Sequence, residues 1–363
     1  MKILIVYATA GAGHKKAAEA VYQAAKQKKL DVKIIDILDY ANPFFKYLYS
    51  CGYIFLIKNF SFLWRLIFYI THHSRSTLIR KIIAFFDSLN CGRYFDFLRQ
   101  ERFDLVISTH FMSTEMTSRL KDDLAMRLVN VVTDYGVHRL WLNLKTDKYL
   151  VASNFTRDIL VSYGIAENII SVTGIPIDSK FSQNYDRVEL SEKLGVSNNL
   201  FTILIMTGAI GMGPIREIIE ALKNDNQLLV VCGSNKRLYA QLENISSPNL
   251  KLFALVDNVY ELMSVSDLII TKPGGMSVSE SLTKSLPMIF FSIIPGQELV
   301  NAEIIQESGA GIILKDAGKI KDLVAEFRNN KEKLLNFKNN AGSLSHPDAA
   351  VKILDVSLAN PAS

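Results

Sequence analysis

Four loops carry the residues of this chain that are best suited to chemistry, and the first of them is residues 9–14. Gly11 and Gly13 let the backbone approach a ligand closely where a helix begins. His14 stands at that point and can accept a proton at neutral pH, although its spacing is also compatible with purely local hydrogen bonding. Lys16 occupies the position where a dinucleotide fingerprint requires a small residue, so NAD binding is not predicted.

The second loop, residues 207–214, follows an apolar run and opens a helix, with Pro214 near the first helical turn. Its three closely spaced glycines leave backbone N–H groups open to an anion: Gly208, Gly211 and Gly213. The spacing is compatible with phosphate binding and with a purely structural turn, and both interpretations stay open.

The third loop, residues 271–280, is the strongest single signal in the chain. Gly274 and Gly275 turn the backbone where a strand ends and a helix begins, and the free N–H groups and helix dipole there favour a diphosphate. Glu280 lies one turn into the helix and is suited to accept hydrogen bonds from two ribose hydroxyls. A first-turn acid that complements the helix dipole is the alternative interpretation.

The fourth loop places Gln297 and Glu298 at another helix start and runs on to Asn301. Such side chains suit the hydroxyl groups of a sugar, and they suit helix capping equally well. No two aspartates are separated by a single residue, and no His, Cys and Asp cluster has metal-ligand spacing. The sequence therefore favours a metal-free site in which backbone amides hold the diphosphate.

Short apolar runs alternate with helical patterns along the chain, which predicts parallel sheets joined by crossover helices. Strands are expected near residues 2–8, 32–36, 104–109, 128–133, 147–152 and 169–173, and again near 201–207, 227–232, 251–255, 267–271 and 287–292. Helices are expected from about Lys15 and near 213–223, 235–243, 258–265, 275–285 and 297–308. In doubly wound sheets of this kind, ligands bind outside the carboxyl ends of the strands.

The length of 363 residues suits two such α/β domains. The predicted organisation is an amino-terminal acceptor and membrane-binding domain at 1–175, a linker at 176–200, a second domain at 201–345 and a tail or helix at 346–363. Hydrophobic residues make up 49% and charged residues 21%, which allows two buried cores and excludes disorder. The three cysteines form no CxxC pair and the first residues read as a strand, so a cytoplasmic protein without a signal peptide is expected.

Residues 44–99 are both basic and aromatic, while the rest of the chain is nearly neutral. The segment holds eight Lys and Arg residues, two acids and 16 of the 36 aromatic residues. Within it, residues 53–70 are interrupted by charged side chains, which predicts an interfacial helix or a packed insertion rather than a spanning one. The residues expected to bind an anionic membrane are Phe55, Lys58, Phe62, Trp64, Arg65 and Phe68.

The motifs together resemble the monogalactosyldiacylglycerol synthase and processive diacylglycerol glucosyltransferase family, which is related to the enzyme that adds N-acetylglucosamine to the lipid-linked peptidoglycan precursor. The resemblance rests on five motifs in order: Gly11–His14; Val132–Asp134 with His138, Trp141 and Asp147–Ala152; Val172–Ile177; Thr271–Gly275; and Pro295–Glu298. The chain departs from the family at Thr9, at Ala12 and around Thr283–Leu286, which leaves the identity of the sugar open.

The resemblance implies a GT-B fold, with two facing Rossmann-like domains and a central cleft. It implies a UDP-sugar bound by the second domain through Gly208, Gly211, Gly213, Val256, Gly274, Gly275, Ser277, Glu280, Gln297, Glu298 and Asn301. In the first domain it implies His14 as the catalytic base, with Gly11, Gly13, Asp134, His138 and Trp141 on the acceptor side.

The expected function is an inverting, metal-independent transfer of a hexose from a UDP-sugar to diacylglycerol or glycosyl-diacylglycerol at the cytoplasmic face of a membrane. No cofactor beyond the donor is expected, and nucleic acid is not an expected partner. Three alternatives stay open: an N-acetylglucosaminyltransferase acting on another lipid-linked acceptor, a UDP-sugar epimerase, and a non-catalytic nucleotide-sugar sensor. The basic aromatic segment argues against the epimerase.

Overall fold

The computed structural model describes residues 1–9, 11–52, 55–56, 59–73, 77–206, 208, 213–294 and 296–359. The chain divides into two compact units. Unit 1 comprises Met1–Asp178, the segment Ile294–Gln297 and the chain from Asp348 onward, and unit 2 comprises Ser179–Ile293 and Glu298–Pro347.

The sheet of unit 1 has six parallel strands in the order β2-β1-β3-β4-β5-β6. They are β1 (Lys2–Tyr7), β2 (Asp31–Asp36), β3 (Leu105–Ser108), β4 (Arg127–Val131), β5 (Lys148–Val151) and β6 (Ile170–Val172). Alternate residues of β1 are buried on opposite faces, Ile3 and Ile5 in one core and Leu4 and Val6 in the other. Because both faces are covered, the strands appear in the sequence as continuous apolar runs.

Helices pack on both faces of this sheet. They are α1 (Gly13–Gln27), α2 (Pro43–Tyr47), α3 (Ser61–His73), α4 (Thr77–Asn90), α5 (Gly92–Glu101), α6 (Phe111–Ser118), α7 (Lys121–Leu124) and α8 (Asn154–Ser162). α1 buries one face against the sheet, and this face includes Ala17, Ala18, Val21, Ala24 and Ala25. This apolar stripe holds α1 against β1 and thereby fixes the position of its first turn.

Unit 2 contains a second parallel sheet, with strand order β12-β11-β10-β7-β8-β9. Its strands are β7 (Thr202–Met206), β8 (Gln227–Val231), β9 (Leu250–Phe253), β10 (Leu268–Thr271), β11 (Met288–Phe290) and β12 (Gly311–Ile313). Its helices are α9 (Arg187–Leu194), α10 (Ile215–Leu222), α11 (Lys236–Leu242), α12 (Val259–Ser264), α13 (Gly275–Thr283), α14 (Gln297–Glu307), α15 (Ile320–Asn329) and α16 (Lys331–Ser343). Every predicted strand, and every predicted helix outside residues 44–99, is present within two residues of its expected bounds. In the segment 53–70, where an interfacial helix was one alternative, the described helix is α3, which begins only at Ser61. β12 and several helices, among them α5–α9, α15 and α16, were not predicted.

The predicted linker at 176–200 differs from this division of the chain. From Ser179 onward these residues belong to unit 2, where α9 is capped by Asp186, whose side chain accepts from two backbone N–H groups. Leu190 of α9 is buried and attaches the segment to unit 2, although most of the segment is polar.

Residues 346–363, predicted to be a tail or a helix, contain the helix α17 (Ala349–Leu358), which belongs to unit 1. Ile353 and Leu354 are fully buried in the same core as α1. Asp355 pairs with Lys28 at the end of α1, and Arg127 of β4 donates to the carbonyl of Ala359 at 3.1 Å. The last described helix is therefore an integral layer of unit 1.

Arg187 and Asp267 attach α9 to the sheet of unit 2. The guanidinium donates two parallel hydrogen bonds to the carboxylate, at 2.7 and 2.9 Å, and the backbone N–H of Thr202 donates a third at 3.0 Å. Burial alone would raise the pKa of Asp267, but the hydrogen bonds from Arg187 and Thr202 hold it below its ordinary value.

Replacing Asp267 by Asn should lower the free energy of unfolding by about 2 kcal/mol, because partly buried Arg187 loses its ionised partner. Chemical denaturation at neutral pH measures the change. The matched control is Asp355→Asn, which breaks an exposed ion pair and should cost below about 0.5 kcal/mol. Equal losses of unfolding free energy in the two variants would show that the pair of Arg187 and Asp267 contributes no more to stability than an exposed ion pair.

Candidate active site

The loops that follow β1, β3 and β4 bring three polar residues together at the carboxyl edge of the unit 1 sheet. β3 pairs in parallel with both of the other strands, so the three loops leave the sheet side by side. They supply His14, Thr109 and Thr133, which are joined by hydrogen bonds. This edge is where parallel α/β sheets bind ligands.

The imidazole of His14 has a defined tautomer. Its Nδ1 lies 2.8 Å from the carbonyl oxygen of Thr109 and 2.9 Å from Oγ1 of Thr133. Because a carbonyl can only accept, Nδ1 must carry the proton and Nε2 must carry the lone pair. No described residue forms a hydrogen bond with Nε2, so the basic nitrogen is open to a ligand.

Burial lowers the pKa of His14 to about 4, although the hydrogen bond to the Thr109 carbonyl acts in the opposite direction. The imidazole is therefore neutral at pH 7 and has a lone pair with which to accept a proton. A neutral, oriented imidazole with an open nitrogen is the arrangement that general-base catalysis requires.

The glycine loop before His14 is held at its start by a hydrogen bond and has open space beside its backbone at Gly11. Thr9 donates from Oγ1 to buried Asp36 at 2.5 Å, which holds the start of the loop. Gly11 has a φ of +95°, a conformation that L residues rarely adopt, and no atom lies within 4 Å of the position that a Cβ would take. Gly13 begins α1, whose amino end has no side-chain cap.

His110 is a site residue that the sequence analysis missed. It lies two residues after the end of β3, is 1% exposed, and its ring meets that of His14 edge-on at 4.5 Å between centroids. The signal that could have found it is its position in the loop that follows a buried parallel strand. Trp141, predicted on the acceptor side, is buried with its ring 6.1 Å from His14, while Asp134 is half-buried in the loop after β4.

His138 does not present a free nitrogen to a ligand in this structure. Its Nδ1 accepts from the backbone N–H of Leu140 at 3.1 Å, and its Nε2 lies 3.1 Å from Oγ1 of Thr71 in α3. The residue is 4% exposed, and burial, together with the neighbouring His72, lowers its pKa to about 4. His138 therefore links α3 to the turn that holds Trp141, rather than lining an open acceptor site.

In unit 2, the amino end of α13 has the geometry expected of a diphosphate site. Gly274 is the N-cap residue, in extended conformation, and no atom lies within 4 Å of the position that its Cβ would occupy. No side chain caps the helix and no acid stands in its first turn. Glu280 lies farther along α13 and is 3% exposed, so the alternative of a first-turn acid is wrong.

Asn301 and Lys272 support this loop from within. Asn301 is fully buried and donates from Nδ2 to the carbonyl of Pro273 at 2.9 Å, so it fixes the backbone ahead of Gly274. Lys272, whose role was not predicted, is 9% exposed, and burial lowers its pKa while the nearby charge of Glu298 raises it. A buried lysine beside this helix end adds positive potential to the site.

The remaining predicted donor residues are accessible or partly so. Gln297, Glu298, Val256 and Ser277 are half-buried. Gly208 is exposed with a φ of +67°, whereas at Gly213 a Cβ would lie 2.5 Å from both Phe291 and Ser292. Gly213 is therefore required by packing as well as by its positive φ. Gly211 and Pro295 lie outside the described residues.

A broad set of apolar side chains from residues 44–89 is exposed on unit 1, and we call it the apolar helical surface. Its members are Phe44, Tyr47, Leu48, Phe55, Phe60, Phe62, Leu63, Leu66, Ile67, Tyr69, Ile70, Ile82, Phe85, Phe86 and Leu89. Exposed apolar patches of this extent mark interaction surfaces. In the described part of the chain, none of the helices has both the length and the hydrophobicity to span a membrane.

The six residues predicted to bind a membrane divide into three groups. Phe55, Phe62 and Arg65 are exposed, as an interfacial role requires. Trp64 and Phe68 are half-buried, and the Phe68 ring lies 4.8 Å from His138, because the i, i+4 spacing turns both toward the protein. Lys58 lies outside the described residues.

Both halves of the chain match known families of protein. Residues 14–177 match the monogalactosyldiacylglycerol (MGDG) synthase family, and residues 202–353 match the glycosyltransferase family 28 C-terminal domain. The chain is 30% identical to the processive diacylglycerol beta-glucosyltransferases of Bacillus cereus (strain G9842) and Bacillus anthracis (strain A0248), over 99% of this chain and 93% of theirs. The chain belongs to the processive diacylglycerol glucosyltransferase family. It is therefore a glycosyltransferase, as predicted.

Solved structures share the fold of this family member. MurG of Acinetobacter baumannii matches with a TM-score of 0.63 and 16% identity, over 98% of this chain and 99% of its own. MnaA of S. aureus, solved with UDP, matches with a TM-score of 0.64 and 14% identity, over 98% of this chain and 95% of its own. Anabaena HepE, solved with UDP and glucose, matches with a TM-score of 0.58 and 14% identity, over 98% of this chain and 97% of its own. The predicted GT-B class is confirmed by these likenesses and by the two parallel sheets.

In the family member described here, His14 should titrate with a pKa near 4, and its neutral form should carry the proton on Nδ1. Nitrogen-15 NMR of labelled imidazoles measures both properties, and the spectrum of His14→Asn assigns the signal. The proton should stay on Nδ1 at pH 7 because the Thr109 carbonyl can only accept it. A pKa near 6.5 would contradict the lowered pKa, and a proton on Nε2 would contradict the base assignment.

Proposed function

We propose that this protein transfers a hexose from a UDP-sugar to the free hydroxyl of a diacylglycerol, or of a glycosyl-diacylglycerol, at a membrane surface. The observation that carries the proposal is the neutral imidazole of His14, with Nδ1 held by Thr109 and Nε2 open. The acceptor class is supported by the names of the curated relatives, which are processive diacylglycerol beta-glucosyltransferases.

In the proposed reaction, unit 1 supplies the base. The acceptor oxygen attacks the anomeric carbon while the bond from that carbon to the UDP oxygen breaks, and UDP departs with the bonding electron pair. The acceptor proton passes to Nε2 of His14. A single displacement inverts the anomeric configuration, so an α-linked donor yields a β-glycoside.

Unit 2 binds the UDP part of the donor in this proposal. The uncapped amino end of α13 and the open backbone at Gly274 suit the diphosphate, and buried Lys272 adds positive charge beside it. Glu280 would take the ribose hydroxyls, Gln297 and Glu298 the sugar. UDP in the solved MnaA and HepE structures supports this assignment. Helix-end and backbone donors would stabilise the leaving diphosphate without a metal or other cofactor.

The membrane part of the proposal is supported by the apolar helical surface. Exposed phenylalanines and leucines would enter the boundary between headgroups and acyl chains, and the exposed, basic Arg65 on α3 would face anionic lipid. Each basic residue near an anionic surface contributes about 1 kcal/mol. Peripheral association of this kind would give the enzyme access to an acceptor that is confined to the bilayer.

Incubation with UDP-glucose, UDP-galactose or UDP-N-acetylglucosamine and diacylglycerol vesicles should yield a β-glycosyl-diacylglycerol with one of the three donors. The His14→Ala variant should lower kcat by roughly 10²- to 10⁴-fold, the usual effect of losing a general base. Mass spectrometry identifies the product, NMR its anomeric configuration, and EDTA in the assay should leave the rate unchanged.

The control for this experiment is UDP binding measured by calorimetry. His14→Ala should bind UDP as the wild type does, since His14 lies in unit 1 and the residues proposed to hold the diphosphate and the ribose lie in unit 2. Interconversion of a UDP-sugar without lipid would indicate the epimerase, and UDP binding without any turnover would indicate a sensor. Undiminished kcat in His14→Ala would remove this histidine from the role.

Combined replacement of Phe62, Phe85 and Phe86 by Ser should weaken binding to anionic vesicles by at least about tenfold, since burial of one phenylalanine is worth about 1.5–3 kcal/mol. The three side chains are 78%, 56% and 58% exposed, so the fold should tolerate the change. Vesicle flotation measures the bound fraction.

The matched control replaces three exposed apolar residues outside the apolar helical surface: Leu144 at 92%, Val188 at 49% and Leu335 at 57% exposure. Their replacement by Ser should leave flotation unchanged. If both triple variants bind vesicles like the wild type, or if the wild type does not bind at all, the membrane part of the proposal fails.

A further inference from the structure

His110 is held firmly between β3 and α6. Its backbone is extended, with φ −146° and ψ 139°, and its carbonyl accepts hydrogen bonds from the hydroxyls of Ser108 at 2.9 Å and Ser113 at 2.8 Å. The side chain is the N-cap of α6, since Nδ1 accepts from the backbone N–H of Met112 at 3.1 Å. The ring therefore has a fixed place and a fixed orientation.

The cap decides where the ring carries its proton. Because Nδ1 accepts from Met112, a neutral imidazole must carry its hydrogen on Nε2, which makes Nε2–H a donor. The ring is neutral because burial, aided by the neighbouring His14, lowers the pKa of His110 well below its ordinary value. His14 has the opposite tautomer, with Nδ1–H and a bare Nε2.

The Nε2–H donor of His110 forms no hydrogen bond with the described residues, although the residue is only 1% exposed. Nε2 is not among the described side-chain atoms that are both inaccessible and unpaired, so the little surface that the residue keeps includes this nitrogen. A donor that is fixed in place, reachable and not used within the described protein is available to a ligand atom.

The neighbours of His110 indicate which ligand. Its ring is 4.5 Å from His14, the proposed base, and 6.1 Å from Tyr49, whose residue lies in the π-helical turn Leu48–Gly52. Leu48 of that turn belongs to the apolar helical surface. His110 thus stands next to the base and next to a segment of the proposed membrane-facing surface.

We propose that His110 binds the acceptor lipid, donating from Nε2 to an ester carbonyl oxygen of the diacylglycerol whose hydroxyl is deprotonated by His14. This inference rests on the proposed function. The ester and the free hydroxyl of diacylglycerol lie on nearby carbons of glycerol, so two adjacent imidazoles can contact both groups at once. The hydroxyl is not the partner of His110, because a hydrogen bond donated to the attacking oxygen would make that oxygen less nucleophilic. The ester carbonyl does not react and can accept the hydrogen bond.

Two replacements separate this role from the capping role. His110→Asn keeps an acceptor that can cap α6 and loses the donor at the Nε2 position. His110→Gln keeps a donor amide near the Nε2 position and loses the acceptor that receives the Met112 N–H. If His110 had only a structural role, the activity of each variant would follow its thermal stability. His110→Asn, which keeps the cap, would then be more active than His110→Gln.

The test compares dioleoylglycerol with its dialkyl ether analogue, which keeps the hydroxyl and lacks the carbonyls. The wild type should prefer the ester in kcat/KM by about 5- to 15-fold, the effect of one neutral hydrogen bond. His110→Asn should lose this preference while melting close to the wild type. His110→Gln should keep most of the preference while melting at a lower temperature.

Equal turnover of ester and ether by the wild type would overturn the inference and leave the proposed function standing. So would an ester preference that persists in His110→Asn. Absence of turnover with either lipid by the wild type would overturn the proposed function, and this inference with it. The wild-type comparison can overturn the inference even if neither variant folds, because it requires no substitution.

Discussion

The hydrogen bond from Nδ1 of His14 to the carbonyl of Thr109 is the interaction on which the site in unit 1 depends. It fixes the tautomer, and with it the identity of the nitrogen that is free to react. The bond is reinforced from the other side, since Oγ1 of Thr109 donates to the carbonyl of His14. It forms only because β1 and β3 are adjacent parallel strands, so that the loops beyond them meet.

Three histidines of unit 1 show how hydrogen bonding assigns different tasks to one side chain. His110 and His138 both accept a backbone N–H at Nδ1 and cap the helical turn that follows. The Nε2 of His138 is engaged by Thr71, whereas that of His110 has no acceptor among the described residues. His14 has the reverse tautomer, because its Nδ1 faces a carbonyl.

The sheets and glycine loops were predictable because buried parallel strands are continuous apolar runs and the turns after them need glycine. β12 escaped prediction because its three residues begin with Gly311, and glycine is depleted in strands. The burial of Phe68 and His138 depends on how α3 packs, which periodicity alone does not determine. His110 was missed because only the pairing of β1 with β3 brings its ring beside that of His14, and no motif in the sequence shows that contact.

The return of α17 to unit 1 has a consequence for the order in which the protein is made. Ile353 and Leu354 fill the same core as α1, so that core is incomplete until α17 has left the ribosome. Unit 2, by contrast, is a continuous stretch apart from the residues 294–297. We therefore expect unit 2 to fold first during synthesis, while unit 1 waits for α17.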